Sequence, residues 1–196
     1  MTIKAKSQPT SKTSRPTRII VTGASGVGKT TLVEMLTPLL SLPVIPELAR
    51  DLCAQMGYER IGEIPDQEEF KRKVLENQIA EEEKLGSFLS DRSTIDCWVL
   101  WLRWNFNQAM TYDTEAFYEK ARQQAEKYTH IVFIPPMFPP LEDGFRWTDI
   151  DYQKQVHRLT KMTLFDWELM DRTFIVSQSG NQERVDEVMQ WLKSGQ

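Results

Sequence analysis

Residues 23–30 read Gly-Ala-Ser-Gly-Val-Gly-Lys-Thr, and they constrain the fold more than any other stretch of the chain. They satisfy the pattern G-x-x-x-x-G-K-[ST]. The apolar run Arg18-Ile19-Ile20-Val21-Thr22 precedes them and Thr31-Leu32-Val33-Glu34-Met35-Leu36 follows, so a strand feeds a glycine-rich turn that opens a helix. In that setting successive backbone N–H groups and the helix N-terminus converge on one point, which suits phosphate oxygens. The reading assigns Gly23, Ala24, Ser25, Gly26, Val27, Gly28, Lys29, Thr30 and Thr31 to a nucleoside triphosphate such as ATP. Lys29 is expected to reach the β- and γ-phosphates and Thr30 to ligate Mg²⁺.

Beyond the loop, short apolar segments alternate with segments of helical spacing. Strands are expected at 17–22, 43–46, 87–91, 130–134 and 173–177, and helices at 29–40, 47–57, 65–85, 94–106, 113–127, 150–169 and 182–193. Asp66, Glu68 and Glu69 favour the opening turn of the third helix, and Pro135-Pro136 ends the fourth strand. This alternation predicts an α/β fold with a parallel sheet covered on both faces and ligands at the carboxyl ends of the strands. Residues 17–196 are expected to form one domain. Residues 1–16, rich in Ser, Thr and Lys, read as a disordered leader without the apolar segment of a secretion signal.

Charge and cysteine content exclude several function classes. The net charge is −4, yet the first 33 residues hold six of the 24 Lys and Arg and none of the 28 Asp and Glu, so residues 34–196 carry −10. An acidic body of this kind argues against a nucleic-acid partner. Cys53 and Cys97 are too few for a disulfide framework, and with His130 and His157 they lack the spacing of a metal site. A cytoplasmic location is expected, with no membrane partner, because no apolar run approaches the roughly 18 residues of a span.

A phosphate loop of this kind serves kinases, GTPases and ATPases alike, so its companions decide the chemistry. Asp91 ends the one apolar strand that closes on an acid and is the candidate to hold Mg²⁺, either directly or through water. Arg92, next in sequence, is the candidate to contact substrate. The alternative for Asp91 is a helix cap before Ser93-Thr94. Glu47 and Arg50, three apart, share a helix face where Glu47 would take a proton from an acceptor hydroxyl and Arg50 would hold a phosphate, unless they are an ordinary surface pair.

The long loop 135–149 reads as a lid, with Arg146 placed to neutralise phosphoryl charge. Lys154, Arg158 and Lys161 form a basic face that either serves the same site or is simply solvated. Trp98, Trp101 and Trp104 recur every third residue. That spacing fits either a stacking wall for the acceptor, with Trp98 the candidate, or burial in the core. The turn from Ser177 to Asn181 either encloses adenine or merely connects.

Together the phosphate loop, Pro46-Glu47-Leu48-Ala49-Arg50, Ser90-Asp91-Arg92, the segment from Pro135-Pro136 to Gly144-Phe145-Arg146, and Ser179-Gly180-Asn181 followed by Arg184 carry a likeness. They resemble the small AAA-like P-loop domains related to the nicotinamide riboside kinase domain of bacterial bifunctional NAD-biosynthesis regulators. More distantly, they are similar to deoxynucleoside and thymidylate kinases. The resemblance spans roughly residues 17–194. It implies a nucleoside-kinase-like P-loop NTPase three-layer sandwich with a five-stranded parallel sheet, ATP and Mg²⁺, and a nucleoside-like acceptor. It also implies that Glu47 is an acceptor-side carboxylate and Asp91-Arg92 an acid-arginine pair.

The expected activity is phosphoryl transfer from ATP to a small nucleoside-like metabolite, with Lys29, Glu47, Asp91, Arg92 and Arg146 catalytic. The alternative is a P-loop ATPase or nucleotide-dependent switch that acts on a protein partner.

Overall fold

The computed structural model describes residues 16–105, 111–139 and 149–194. Five strands form one sheet: β1 (Arg18–Thr22), β2 (Val44–Ile45), β3 (Phe88–Asp91), β4 (His130–Phe133) and β5 (Thr173–Ile175). Among the described residues seven α-helices flank them: α1 (Lys29–Leu40), α2 (Leu48–Gln55), α3 (Gln67–Leu85), α4 (Thr94–Asn105), α5 (Thr111–Ala125), α6 (Ile150–Asp166) and α7 (Asn181–Ser194). All strand pairs are parallel and the spatial order is β2-β3-β1-β4-β5. The strands are shorter than the sequence predicts. Two single 3₁₀ turns, Ile61–Glu63 and Met170–Arg172, had no signal in the spacing.

A parallel strand covered on both faces reads as a continuous apolar run, and Ile19, Ile20 and Val21 of β1 are all buried. Alternate residues then feed opposite layers. Ile20 packs with Ile45, Phe88, Ile95 and Trp101, whereas Ile19 and Val21 pack with Leu32, Leu36, Val185 and Val188. The register Val21↔Asp91 and Thr22↔Phe133 brings the carboxyl ends of the three central strands to one edge. The phosphate loop, Asp91 and Ile134 meet there because each ends its strand or follows directly on it.

Helices α4 and α5 make an antiparallel pair. Thr94 Oγ1 donates to Ala121 O near one end (2.9 Å), and Trp101 stacks on Phe117 further along, with 4.3 Å between ring centroids. Helix α3 packs beside α4, with the Arg72 guanidinium 4.8 Å over the Trp101 ring. No helix among the described residues is long and apolar enough to cross a membrane.

Beneath the site lies a buried polar cluster. Glu82, fully buried, accepts hydrogen bonds from Gln78 Nε2, Tyr128 OH and Gln124 Nε2, each at 2.8 Å. Burial pushes its carboxyl up to about 7, against the hydrogen bonds that favour the charged form. An acid raised in the folded state binds more protons there than when unfolded. Its contribution is therefore most favourable at low pH and is lost as pH rises from about 4.5 to about 7. The stability of wild type minus that of Glu82→Gln should fall through this window, read from urea unfolding at a series of pH values. A difference that stays flat would mean that Glu82 titrates normally.

Candidate nucleotide and acceptor site

The loop between β1 and α1 is shaped by two glycines at which a side chain would be strained, most severely at Gly23, where it would meet backbone. Gly23 has φ +144, and a Cβ there would stand 2.6 Å from Ile134 O; at Gly28, φ +90, it would meet Arg184 Nη1 at 2.9 Å. Arg184, on α7 and buried, donates from Nη1 to Val27 O (2.9 Å) and from Nε to Gln178 O (2.8 Å). Gln153 of α6 donates to Ser25 O at 3.0 Å. Two helices thus hold the loop by its carbonyls. Lys29 is 3% exposed, and its ammonium donates to Gly23 O (2.9 Å) and Ala24 O (2.6 Å), folded over the loop that it opens from.

Thr30 follows at the exposed start of α1, and its hydroxyl donates to Asp91 Oδ2 at 2.5 Å. Asp91 is 3% exposed, and its other oxygen, Oδ1, has no hydrogen-bond partner among the described residues. A buried carboxylate oxygen without a donor is costly unless a cation or water meets it. Beside a hydroxyl at the mouth of a phosphate loop, this hard oxygen pair fits Mg²⁺. The described residues hold no cluster of three His, Cys, Asp or Glu arranged for a metal. Thr30 and Asp91 would share such an ion with phosphates and water, the usual manner for Mg²⁺.

Arg92 turns the chain out of β3 with φ +87, a conformation that costs a side-chain-bearing residue of order 1–3 kcal/mol. What holds it there is a set of buried contacts. Its N–H donates to Val21 O (3.0 Å), its Nε to Glu47 Oε1 (2.7 Å), and its Nη1 lies 3.7 Å from Asp96 Oδ1. Burial alone would lower the guanidinium pKa. The charges of Glu47, Asp96 and Asp91 more than reverse that and raise it, so Arg92 stays charged. For Asp96, burial pushes the carboxyl up, while Arg92, Lys29 and the Ser93 hydroxyl hold it down.

Glu47 is the N-cap of α2 rather than a residue within it, and its Oε2 lies 3.8 Å from Arg50 Nε. The structure brings Glu47, Arg50, Asp91 and Arg92 to one corner and adds Asp96, which sequence reasoning missed. Its signal was the four-residue spacing from Arg92 at a helix start.

A cavity of about 680 Å³ opens from this corner, lined there by Ser25, Glu47, Arg92 and Asp96. Trp98, the candidate for its stacking wall, takes the other course that the spacing allowed and packs in the core against Phe117 and edge-on to Tyr118 at 5.0 Å. Trp98 faces the α5 side of α4, and Trp104, six residues on and so on a different face of the helix, lines the cavity in its place. Lys154, Arg158 and Lys161 are exposed, which matches the solvated reading of that face. Arg146 and the heart of the expected lid, 140–148, lie outside the described residues, as does most of the leader. The turn after β5 is held by Glu187, whose Oε1 accepts from the N–H groups of Ser177 and Gln178 (3.0 and 3.1 Å).

A family model described as an AAA domain matches residues 18–184. No curated protein is a significant match. Among solved structures, NadR protein in complex with NR aligns with 92% of this chain and 51% of its own, at 19% identity and a TM-score of 0.74. Deoxyadenosine kinase from M. mycoides with bound dATP aligns over 90% and 99% (12% identity, TM-score 0.62), and shikimate kinase from Aquifex aeolicus over 91% and 97% (18%, 0.59). The chain spans about half the length of the NadR structures. At these identities the likeness is one of fold, and the fold is the α/β, five-stranded parallel sandwich of P-loop kinases.

Proposed function

The chain belongs to the AAA domain family, and from that premise we propose that it transfers the γ-phosphoryl group of ATP to a hydroxyl of a small, nucleoside-like metabolite. The observation that carries this reading is the position of Arg92. It sits at the junction of the phosphate loop and the cavity, pinned between the buried carboxylates of Glu47 and Asp96. A solvated surface pair would need neither the strained backbone nor the burial.

In this reading the loop from Gly23 to Thr31 binds the triphosphate and Lys29 leaves the loop carbonyls for the β- and γ-phosphates. Thr30 and Asp91 would hold Mg²⁺, which would supply charge neutralisation to the phosphate oxygens. Glu47 accepts the proton of the acceptor hydroxyl as its oxygen bonds to the γ-phosphorus and the bond to the β,γ-bridging oxygen breaks, releasing ADP. Arg92 orients Glu47 through the 2.7 Å bond and places positive charge beside the transferring group. Arg50 is assigned to the acceptor beside Glu47, and Arg146, on sequence grounds alone, to phosphoryl charge.

The reading is tested by ADP release from the pure protein with ATP and Mg²⁺, alone and with nicotinamide riboside, nucleosides, deoxynucleosides and nucleoside monophosphates. Mass spectrometry of any product completes the test. An acceptor that gains one phosphoryl mass supports it; ADP release indifferent to every acceptor would favour an ATPase or switch. Glu47→Gln should lower kcat by roughly 10²- to 10⁴-fold and leave the KM for ATP unchanged, because it removes the base and keeps the shape. Unchanged steady-state kinetics would make Glu47 structural.

A further inference from the structure

The end of the cavity away from Arg92 carries two groups that the reaction above does not use. Lys71, on α3, is 9% exposed and lines the cavity. Its ammonium bonds only the neutral oxygens of Gln67, the carbonyl at 3.2 Å and Oε1 at 3.1 Å, and no carboxylate among the described residues pairs with it. The acids on the same rim are engaged elsewhere: Glu68 pairs with Arg72 at 2.7 Å, and Asp66 caps α3 by accepting from Glu69 N at 2.9 Å. Asn105, in the last turn of α4, is 3% exposed, lines the same cavity, and its buried side-chain oxygen has no partner among the described residues.

Both groups stand well away from the reacting corner. From Asp96 to Asn105 is nine residues of α4, about 13 Å along its axis. On α3, Gln78 donates to Ser90 Oγ (3.1 Å), next to Asp91 in sequence, and Lys71 lies seven residues earlier, about 10 Å toward the far end. The Arg72–Trp101 contact sets the two helices at this level, antiparallel, so that Lys71 and Asn105 face one end of one cavity.

We propose that Lys71 makes this an oxyanion-binding end of the acceptor cavity, so that the acceptor carries a carboxylate or phosphate roughly one nucleoside length from the hydroxyl that is phosphorylated, with an N–H or hydroxyl near that anion to meet Asn105 Oδ1. The reacting end of this arrangement rests on the kinase reading above. A buried ammonium without a counter-charge is the group that an incoming anion satisfies, whereas the orphaned Asn105 oxygen is an acceptor and takes a hydrogen bond from a donor of the ligand, not from its anion. Burial lowers the Lys71 pKa to about 8, which leaves it largely charged at neutral pH and poised to gain from an anion. A cationic ring placed at this end would meet Lys71 unfavourably.

The test is binding, read without turnover. The phosphate loop is saturated with Mg²⁺ and a non-hydrolysable ATP analogue. The protein is then titrated with matched pairs that carry the anion beyond the base, N6-(2-hydroxyethyl)adenosine against its phosphate ester on that side chain and the methyl ester of N6-(carboxymethyl)adenosine against the free acid, by calorimetry. Wild type should prefer the anionic member of at least one pair, and Lys71→Met should weaken that member by roughly 10- to 100-fold while sparing its neutral partner. Asn105→Leu is the second variant, expected to weaken both members of the responding pair, because it removes an acceptor and no charge. The pair that responds tells a phosphate from a carboxylate.

No anion preference in wild type, no binding of either anion, or a preference that survives Lys71→Met would overturn the proposal. Failure of the kinase reading looks different: anions bind as described, yet no acceptor accelerates ADP release.

Discussion

Lys29→Ala will abolish acceptor-dependent ADP formation, with kcat/KM falling by roughly 10³-fold or more. The side chain is 3% exposed and already placed over the loop by Gly23 O and Ala24 O, so it needs only to exchange two carbonyls for phosphate oxygens. No neighbour can replace it: Arg184 is bound to Val27 O and Gln178 O, and Arg92 to Glu47. The assay is ADP release by pure wild type and variant, with the heat-unfolding midpoint of each as a check on folding. Turnover retained by a well-folded variant would remove the loop from the chemistry.

The largest loss of stability is expected from Arg92→Ala, about 3–5 kcal/mol in urea unfolding, because it takes the close cationic partner from two buried carboxylates, leaving Glu47 with the longer Arg50 contact and Asp96 with the Ser93 hydroxyl. Their side chains are 9% and 5% exposed, so water reaches them only from the cavity that they line. The φ of +87 permits a control: Arg92→Gly removes the same charge but relieves the backbone, and should be more stable than Arg92→Ala by about 1 kcal/mol. Both variants should be inactive. If Arg92→Ala unfolded like wild type, the carboxylates would be paired elsewhere and the central observation of the functional reading would fail.

Much of this arrangement was legible in the linear chain. The spans expected for β1 and α1 agree with the structure to within one residue, since apolar runs, glycines and caps act over a few positions. Glu47, Asp91 and Arg92 were singled out because each stands at the carboxyl end of a strand. Trp98 was harder, as three tryptophans at a spacing of three do not say which side of α4 meets the core, and only the packing of α5 turned Trp98 inward and left Trp104 on the cavity. Asp96, Lys71 and Asn105 had no motif around them.

The sequence by itself determined that this chain has a phosphate loop and an alternating α/β core, because those depend on residue type and spacing along a few turns of backbone. Tertiary structure alone decided which side chains share the site. The order β2-β3-β1-β4-β5 sets Asp91 against Thr30, and the strained turn at Arg92 draws together Glu47, 45 residues earlier, and Asp96. Those contacts arise from register and burial across the sheet, which no local pattern of residues records.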